Sequence, residues 1–165
     1  MKILTTDKNK NLLSKDTDFK FVSNGCVYRF VSEAVKQDIL INYHNIIDKK
    51  LQKYLPKNIC INRNMITYQY VEGRDLEYCY SIRMNYLYAK MLFELWQSNC
   101  YIFDLSRRNV IFDGEKIVII DLDCKPKAHC TKWQYAKECL YRFRDTMVNR
   151  DAIIKRLERF LCELI

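Results

Sequence analysis

The sequence predicts an α+β fold: an antiparallel β-sheet with one helix over residues 1–72, followed by a reduced, mainly helical half over residues 73–165 that contains one β-hairpin. Three observations predict it. Two hairpin patterns occupy the first half, apolar residues recur at helical spacing, and a third hairpin pattern runs from Tyr101 to Asp123. We expect the 165 residues to form one domain of two small lobes.

The first half is predicted to begin with a hairpin and a helix. Residues 19–22 and 26–31 are rich in aromatic and β-branched side chains, and the sequence Ser-Asn-Gly between them is typical of a tight turn. From Glu33 to Tyr54, apolar residues recur at three- and four-residue steps. Ser32 is the expected N-cap, and Pro56 is expected to end this helix.

The chain then alternates short strands with further helices. Residues 59–61 and 65–71 are predicted strands around the turn at 62–64, and an extended segment with Gly73 follows them. A second helix is predicted over Tyr80–Asn99. After the hairpin, a basic loop over 124–132 leads to helices over 133–144 and 151–165. The predicted buried stripe of the second helix consists of Ile82, Leu87, Met91, Leu92, Leu95 and Trp96.

Composition limits the class of protein. Apolar residues make up 49% of the chain and mean hydropathy is −0.31. No apolar run approaches the roughly 18 residues of a membrane-spanning helix, and the N-terminus becomes polar too early for a secretory signal. The net charge of +8 favours an anionic partner, such as a phosphorylated substrate or an anionic membrane surface. Because the charge is spread along the chain, nucleic acid is not the expected partner.

The eight cysteines indicate a cellular location and do not suggest a network of disulfide bonds. None forms a C-x-x-C pair, and most lie within apolar periodic segments, which is typical of buried, reduced thiols in a cytosolic protein. Cys124, His129 and Cys130 resemble half of a zinc site, but no second pair of suitable spacing follows. We therefore expect a cytoplasmic protein without zinc, with peripheral contact with the cytoplasmic face of a membrane as a further expectation.

The third hairpin pattern carries the candidate chemistry. Asp104 opens a polar loop, Asn109 lies five residues later, and Asp121 ends the apolar run 117–120. A hairpin with its turn at Asp113 and Gly114 is predicted to bring Asp121 back beside Asn109. Asn109 and Asp121 suit a hard divalent cation. Asp104 is suited to orienting a hydroxyl group and accepting its proton.

This layout resembles the catalytic loop and metal-binding aspartate of the kinase-like superfamily. The loop reads YIFDLSRRN over residues 101–109, in the D-x-x-x-x-N spacing, and is followed by IDLD over 120–123. Two further stretches resemble the lipopolysaccharide core kinases, which act on Kdo and heptose sugars. They are YVEGRDL over 70–76, similar to a hinge, and the pattern W-Q-x-A-x-x-x-L-x-R-x-R over 133–144.

The resemblance implies a minimal bilobal protein-kinase-like fold that binds ATP and Mg²⁺. It implies that Asn109 and Asp121 hold the metal and that Asp104 is the catalytic acid–base residue. Arg108 is implied to serve the γ-phosphate or the substrate, although it is also typical of a solvated loop charge. Asp123 is either a second metal ligand or a cap of the following loop.

The resemblance also implies a nucleotide site made by the first half. Arg29 is its best-placed cation for the phosphates, although a surface charge on an edge strand is an equally simple interpretation. Either Glu33 or Asp38 is implied to pair with that cation. The residues implied to bind the cofactor are Arg29, Glu33, Gly25, Tyr70 and Val71.

Departures from the family leave three functions open. Family members are longer, Phe103 stands where the family has His or Gly, and Gly25 is the only glycine of the first hairpin. The first hypothesis is an ATP-dependent phosphotransferase acting on a hydroxyl of a lipopolysaccharide core sugar or related small molecule. The second is a miniature protein kinase of effector or viral type. The third is a catalytically inactive kinase-like binding module. The expected partner is accordingly a sugar, glycolipid or protein acceptor.

Overall fold

The computed structural model describes residues 19–75, 81–103, 105, 109–124, 131, 134, 135, 155 and 159. Within them, the predicted α+β class is confirmed: the described chain forms antiparallel sheets and two long helices. The strands are β1 (Phe19–Ser23), β2 (Cys26–Phe30), β3 (Cys60–Asn62), β4 (Met65–Gln69), β5 (Arg74–Asp75), β6 (Val110–Phe112) and β7 (Ile117–Ile119). The helices are α1 (Glu33–Asp48) and α2 (Ile82–Gln97), with a short 3₁₀ turn at Gln52–Tyr54.

The first sheet contains four antiparallel strands in the order β1-β2-β4-β3. The predicted hairpin of β1 and β2 is confirmed, with Ser23 opposite Cys26. Its two turn residues, Asn24 and Gly25, have φ angles of 50° and 71°, as a two-residue hairpin turn requires. Because β4 pairs with the other side of β2, β2 is an interior strand of this sheet.

Helix α1 begins where predicted but ends earlier. The Ser32 hydroxyl accepts a hydrogen bond from the Val35 N–H, and the helix stops at Asp48 instead of reaching Tyr54. The reason is a left-handed residue, Lys50, with φ of 58°. Its N–H donates to the Ile47 carbonyl and the Leu51 N–H donates to the Ile46 carbonyl, which is the Schellman pattern of helix termination. Leu51 and Ile46 are both buried, so core packing favours this early end.

The second sheet joins the middle of the chain to the third hairpin. It has the order β5-β6-β7, in which Arg74 pairs with Phe112 and Asp75 with Ile111. The predicted hairpin and its turn are confirmed, since β6 and β7 pair directly. The Asp113 carboxylate accepts the N–H groups of Glu115 and Lys116 at 3.0 and 2.9 Å, which closes the turn. The strand β5 was not predicted from the sequence.

Gly73 lets the chain pass closely over the hairpin. A Cβ atom at this position would lie 2.4 Å from the Phe112 carbonyl oxygen and 2.6 Å from the Ile111 side chain. Such contacts are far inside van der Waals distance, and the oxygen belongs to the backbone of β6. Only glycine therefore allows β5 to pair with β6 in this register.

Helix α2 supports the hairpin and the loop before it. The Ser81 hydroxyl caps its start by accepting from the Met84 N–H, and Asn99, with φ of 55°, follows its end. The predicted inner residues Met91, Leu92 and Leu95 are buried. None of the described helices is long and apolar enough to cross a membrane. The predicted helices over 133–144 and 151–165 lie largely outside the described residues, although Lys155 and Arg159 are helical.

The substitution Gly73→Ala should lower the free energy of unfolding by about 3 kcal/mol, because the added methyl group overlaps backbone that cannot move aside cheaply. Urea unfolding followed by circular dichroism measures the change. The matched control is Gly25→Ala, where nothing lies within 4 Å of the added carbon and only the left-handed backbone costs about 1 kcal/mol. Equal losses in the two variants would contradict the steric explanation.

The described cysteines should differ sharply in reactivity. Cys60 is exposed and Cys100 is buried. Burial, with a smaller contribution from Cys124, raises the pKa of the Cys100 thiol to about 12, so almost no thiolate exists at pH 8. We expect iodoacetamide to label Cys60 in the native protein while sparing Cys100, as read by peptide mass mapping. Both should react in concentrated urea, and equal native rates would argue against burial of Cys100.

Candidate functional site

A buried arginine is the central feature of the site. Arg29 on β2 is only 5% exposed, so it is not the surface charge that remained an alternative. Its Nη1 atom donates to Asp121 Oδ1 at 2.5 Å, and its Nη2 atom donates to Asp123 Oδ2 at 2.7 Å. One guanidinium therefore bridges two carboxylates that lie more than ninety residues later in the chain.

Strand alternation explains why Arg29 points inward. On β2, Val27 and Arg29 are buried while their neighbours are only half-buried, which places both on one face of the sheet. In register, Arg29 lies opposite Ile66 and Val27 lies opposite Tyr68 on β4. The Tyr68 hydroxyl donates to the Ile120 carbonyl at 3.2 Å, which joins this face to the end of the third hairpin.

The hairpin brings Asn109 and Asp121 to the same end, as predicted. Val110 pairs with Ile119, and the Ile120 N–H donates to the Asn109 carbonyl at 2.9 Å. The residue after Ile120 is Asp121, so both candidate metal ligands emerge from the same end of one hairpin. The side chain of Asp121 is 17% exposed.

Phe103 and Leu105, the described neighbours of Asp104, are both held by contacts with other residues. Asp104, Arg107 and Arg108 themselves lie outside the described residues. Phe103 is buried and its ring meets Tyr135 edge-on at 5.3 Å between centroids. The Leu105 carbonyl accepts a hydrogen bond of 2.8 Å from the Tyr88 hydroxyl. The aromatic side chain before Asp104, which departs from the kinase pattern, is thus part of the core.

The chemistry of Asp121 allows a metal at this hairpin end. Its Oδ1 atom accepts hydrogen bonds from Arg29 Nη1 and from the Asp123 N–H. Its Oδ2 atom makes no hydrogen bond to a described residue. Burial raises the pKa of the Asp121 carboxyl, against the opposing effect of the Arg29 guanidinium. Within the described part of the chain, no group of three or more His, Cys, Asp and Glu side chains could hold a metal. One amide and one carboxylate nevertheless suit Mg²⁺, which keeps waters and takes phosphate oxygens as its remaining ligands.

Helix α1 contributes an amide that the sequence analysis missed. Asn42 is 1% exposed, and its Nδ2 atom donates to the Leu122 and Cys124 carbonyls at 2.8 and 2.7 Å. These carbonyls flank Asp123 in the chain. The signal was present, because Asn42 lies between Ile39 and Ile46 at helical spacing and so on the inward face. A polar residue there needed a buried partner.

A second cation near the site was also missed. Lys20 on β1 lies opposite Arg29 in the register of the first sheet, and its ammonium group is 5.7 Å from the centre of the Tyr68 ring. Its charge acts on Asp121, lowering the pKa of that carboxyl as a minor contribution. Alternation along β1 alone would not have found it, because only the register of the hairpin, with Lys20 opposite Arg29, places both cations on one face of the sheet.

The structure does not bring Glu33 to the site. Its carboxylate bonds to Lys36 at 2.6 Å and to Gln37 at 2.9 Å, and its side chain is 60% exposed. The expected pairing of Glu33 with Arg29 is therefore wrong, because the first turn of α1 faces solvent at this position. Asp38, the other candidate, is half-buried and forms no ion pair with a described residue.

The predicted hinge residues Tyr70 and Val71 differ in the hydrogen bonding of their backbone groups. The Tyr70 N–H donates to the Gly25 carbonyl at 2.8 Å, so it is used within the protein, and the Tyr70 ring is 49% exposed. Val71 is half-buried, and its backbone makes no hydrogen bond to a described residue. Gly25 lies at the hairpin tip with open space around it. Of the two hinge residues, Tyr70 is thus the one whose backbone N–H is paired with a described residue.

The substitution Asn42→Ala should destabilise the protein by about 2 kcal/mol, because it leaves two inward carbonyls without their donor. Asn45→Ala, on an exposed position of the same helix, is the matched control and should change stability little. Urea unfolding of the two variants measures the difference. A loss shared by both variants would point to helix propensity instead of the Asn42 contacts.

In comparisons with protein-family models and with curated proteins, no family model and no curated protein matched this chain.

Proposed function

We propose that the chain is an ATP-dependent phosphotransferase with a minimal bilobal protein-kinase-like fold, which transfers the γ-phosphate to a hydroxyl group. The observation that carries this proposal is the contact between Arg29 on β2 and Asp121 at the end of β7. A buried strand cation next to the candidate metal-binding aspartate is the charge arrangement that a nucleotide phosphate site needs.

The order of elements supports the same proposal. The strand that carries the cation is followed by helix α1, a returning hairpin, an extended segment, helix α2 and the hairpin with Asn109 and Asp121. This is the order that the resemblance to kinases implies. The extended segment leaves the first sheet after Gln69 and enters the second at Arg74. An adenine edge bound by the Val71 backbone would therefore lie where the chain passes from one sheet to the other.

Each residue then has a defined task. Asn109 and Asp121 would hold Mg²⁺, which when bound neutralises charge on the phosphates. Arg29 would donate to phosphate oxygens. Asp104 would orient the acceptor hydroxyl and accept its proton, and Arg108 would compensate charge on the transferred group. Catalysis by such a site consists mostly of positioning and charge stabilisation.

The proposed acceptor is a hydroxyl of a lipopolysaccharide core sugar or a related small molecule. This part rests on the sequence patterns over 70–76 and 133–144, of which the second lies largely outside the described residues. A catalytically inactive binding module is the second candidate. The observation that favours it is the occupation of Asp121 by Arg29, together with the buried Phe103 next to Asp104.

Calorimetry should detect binding of ATP in the presence of Mg²⁺. The substitution Asp121→Ala should abolish this binding, because it removes the carboxylate proposed to hold the metal. Glu115→Ala, an exposed acid on the turn of the same hairpin, is the control and should bind as the wild type does. A screen for phosphate transfer would then begin with core sugars. If neither the wild type nor the variants bind ATP, the enzyme proposal fails and the binding module gains weight.

A further inference from the structure

The buried charge on Arg29 requires a permanent acidic partner. A guanidinium that is 5% exposed has lost most of its hydration, and leaving it unpaired would be strongly destabilising. Among the described residues, two carboxylates pair with it, each bonded to a different terminal nitrogen. The two contacts are therefore separable, and one can be exchanged while the other persists.

Apart from pairing with Arg29, the two carboxylates have different roles. Asp121 is assigned to the metal in the proposed function, and Nη1 of Arg29 must turn from it to reach a phosphate oxygen. Asp123 contacts Nη2 at 2.7 Å and keeps a more exposed side chain, at 31%. It can hold the second nitrogen throughout, since its contact does not compete with the one that Nη1 makes.

The backbone around Asp123 is built to hold it in place. Its N–H donates to Asp121 Oδ1 at 3.3 Å. On either side, the carbonyls of Leu122 and Cys124 accept the two hydrogen bonds of the buried Asn42 amide. The residue that contacts Arg29 is thus clamped at both neighbours by helix α1, which fixes the direction from which its carboxylate approaches.

We propose that Asp123 is the positioning residue of this site: it orients Arg29 for the nucleotide phosphates, a task that the resemblance to kinases assigns to an acid of the helix. Helix α1 takes part indirectly, through the Asn42 amide that holds the Asp123 segment. This inference rests on the function proposed above and adds to it the group that prepares the phosphate-binding cation.

The test is a fluorescence titration of the full chain with a methylanthraniloyl derivative of ATP in the presence of Mg²⁺. Asp123→Asn should weaken binding about tenfold, which corresponds to about 1.4 kcal/mol. Asp123→Glu, which keeps the charge, should restore affinity to near that of the wild type. Glu33→Gln tests the helix acid, and Glu115→Gln removes one exposed charge as a control. Both should bind as the wild type does.

A double-mutant cycle distinguishes positioning from general damage. If Asp123 acts through Arg29, adding Asp123→Asn to Arg29→Met causes no further loss of affinity. The comparison of Arg29→Met with the double variant can still be made if Asp123→Asn alone does not fold. In that background, the buried cation that needs Asp123 as its partner is absent.

Three results would overturn the inference while leaving the proposed function intact: unchanged affinity in Asp123→Asn, a comparable loss in Glu33→Gln, or a further loss in the Arg29→Met background. A wild-type protein that binds no nucleotide would instead overturn the proposed function, and this inference with it.

Discussion

The arrangement of the site depends on one buried guanidinium group, that of Arg29, which requires negatively charged partners. Arg29 lies on the inward face of an interior strand, where water cannot compensate its charge. Its partners Asp121 and Asp123 follow the last described strand, β7. The ion pair therefore fixes how the end of the third hairpin lies against the first sheet. A neutral side chain at position 29 would pack there without specifying this geometry.

Other contacts bring the same short segment to one place. The Tyr68 hydroxyl holds the Ile120 carbonyl from β4, and the Asn42 amide holds the Leu122 and Cys124 carbonyls from α1. Residues 120–124 are thus bonded to the sheet and to the helix at successive positions. Since each contact satisfies a backbone or charged group in a largely buried region, displacing the segment would leave several groups unpaired at once.

The electrostatics of this segment constrain any function that uses it. Burial raises the pKa of the Asp121 carboxyl, and Arg29 opposes that rise, so the protein itself supplies the positive charge that keeps the carboxylate in place. Under the proposed function, the nucleotide and its metal replace part of this internal pairing. Binding is then an exchange of ionic partners.

The sequence by itself determined the α+β class, the first and third hairpins, the start of α1 and the placement of Asn109 and Asp121 at one end of the third hairpin. These follow from local spacing: period-two strands, turn residues with positive φ, the serine cap of α1, and the positions of Asn109 and Asp121 on either side of one turn. The tertiary structure alone decided that Lys50 ends α1, that Gly73 must be glycine, that Glu33 faces solvent and that Asp123 and Asn42 complete the surroundings of Arg29. Each of these depends on which distant group a residue contacts, such as the Phe112 carbonyl for Gly73. The spacing of residues along the chain does not reveal such contacts.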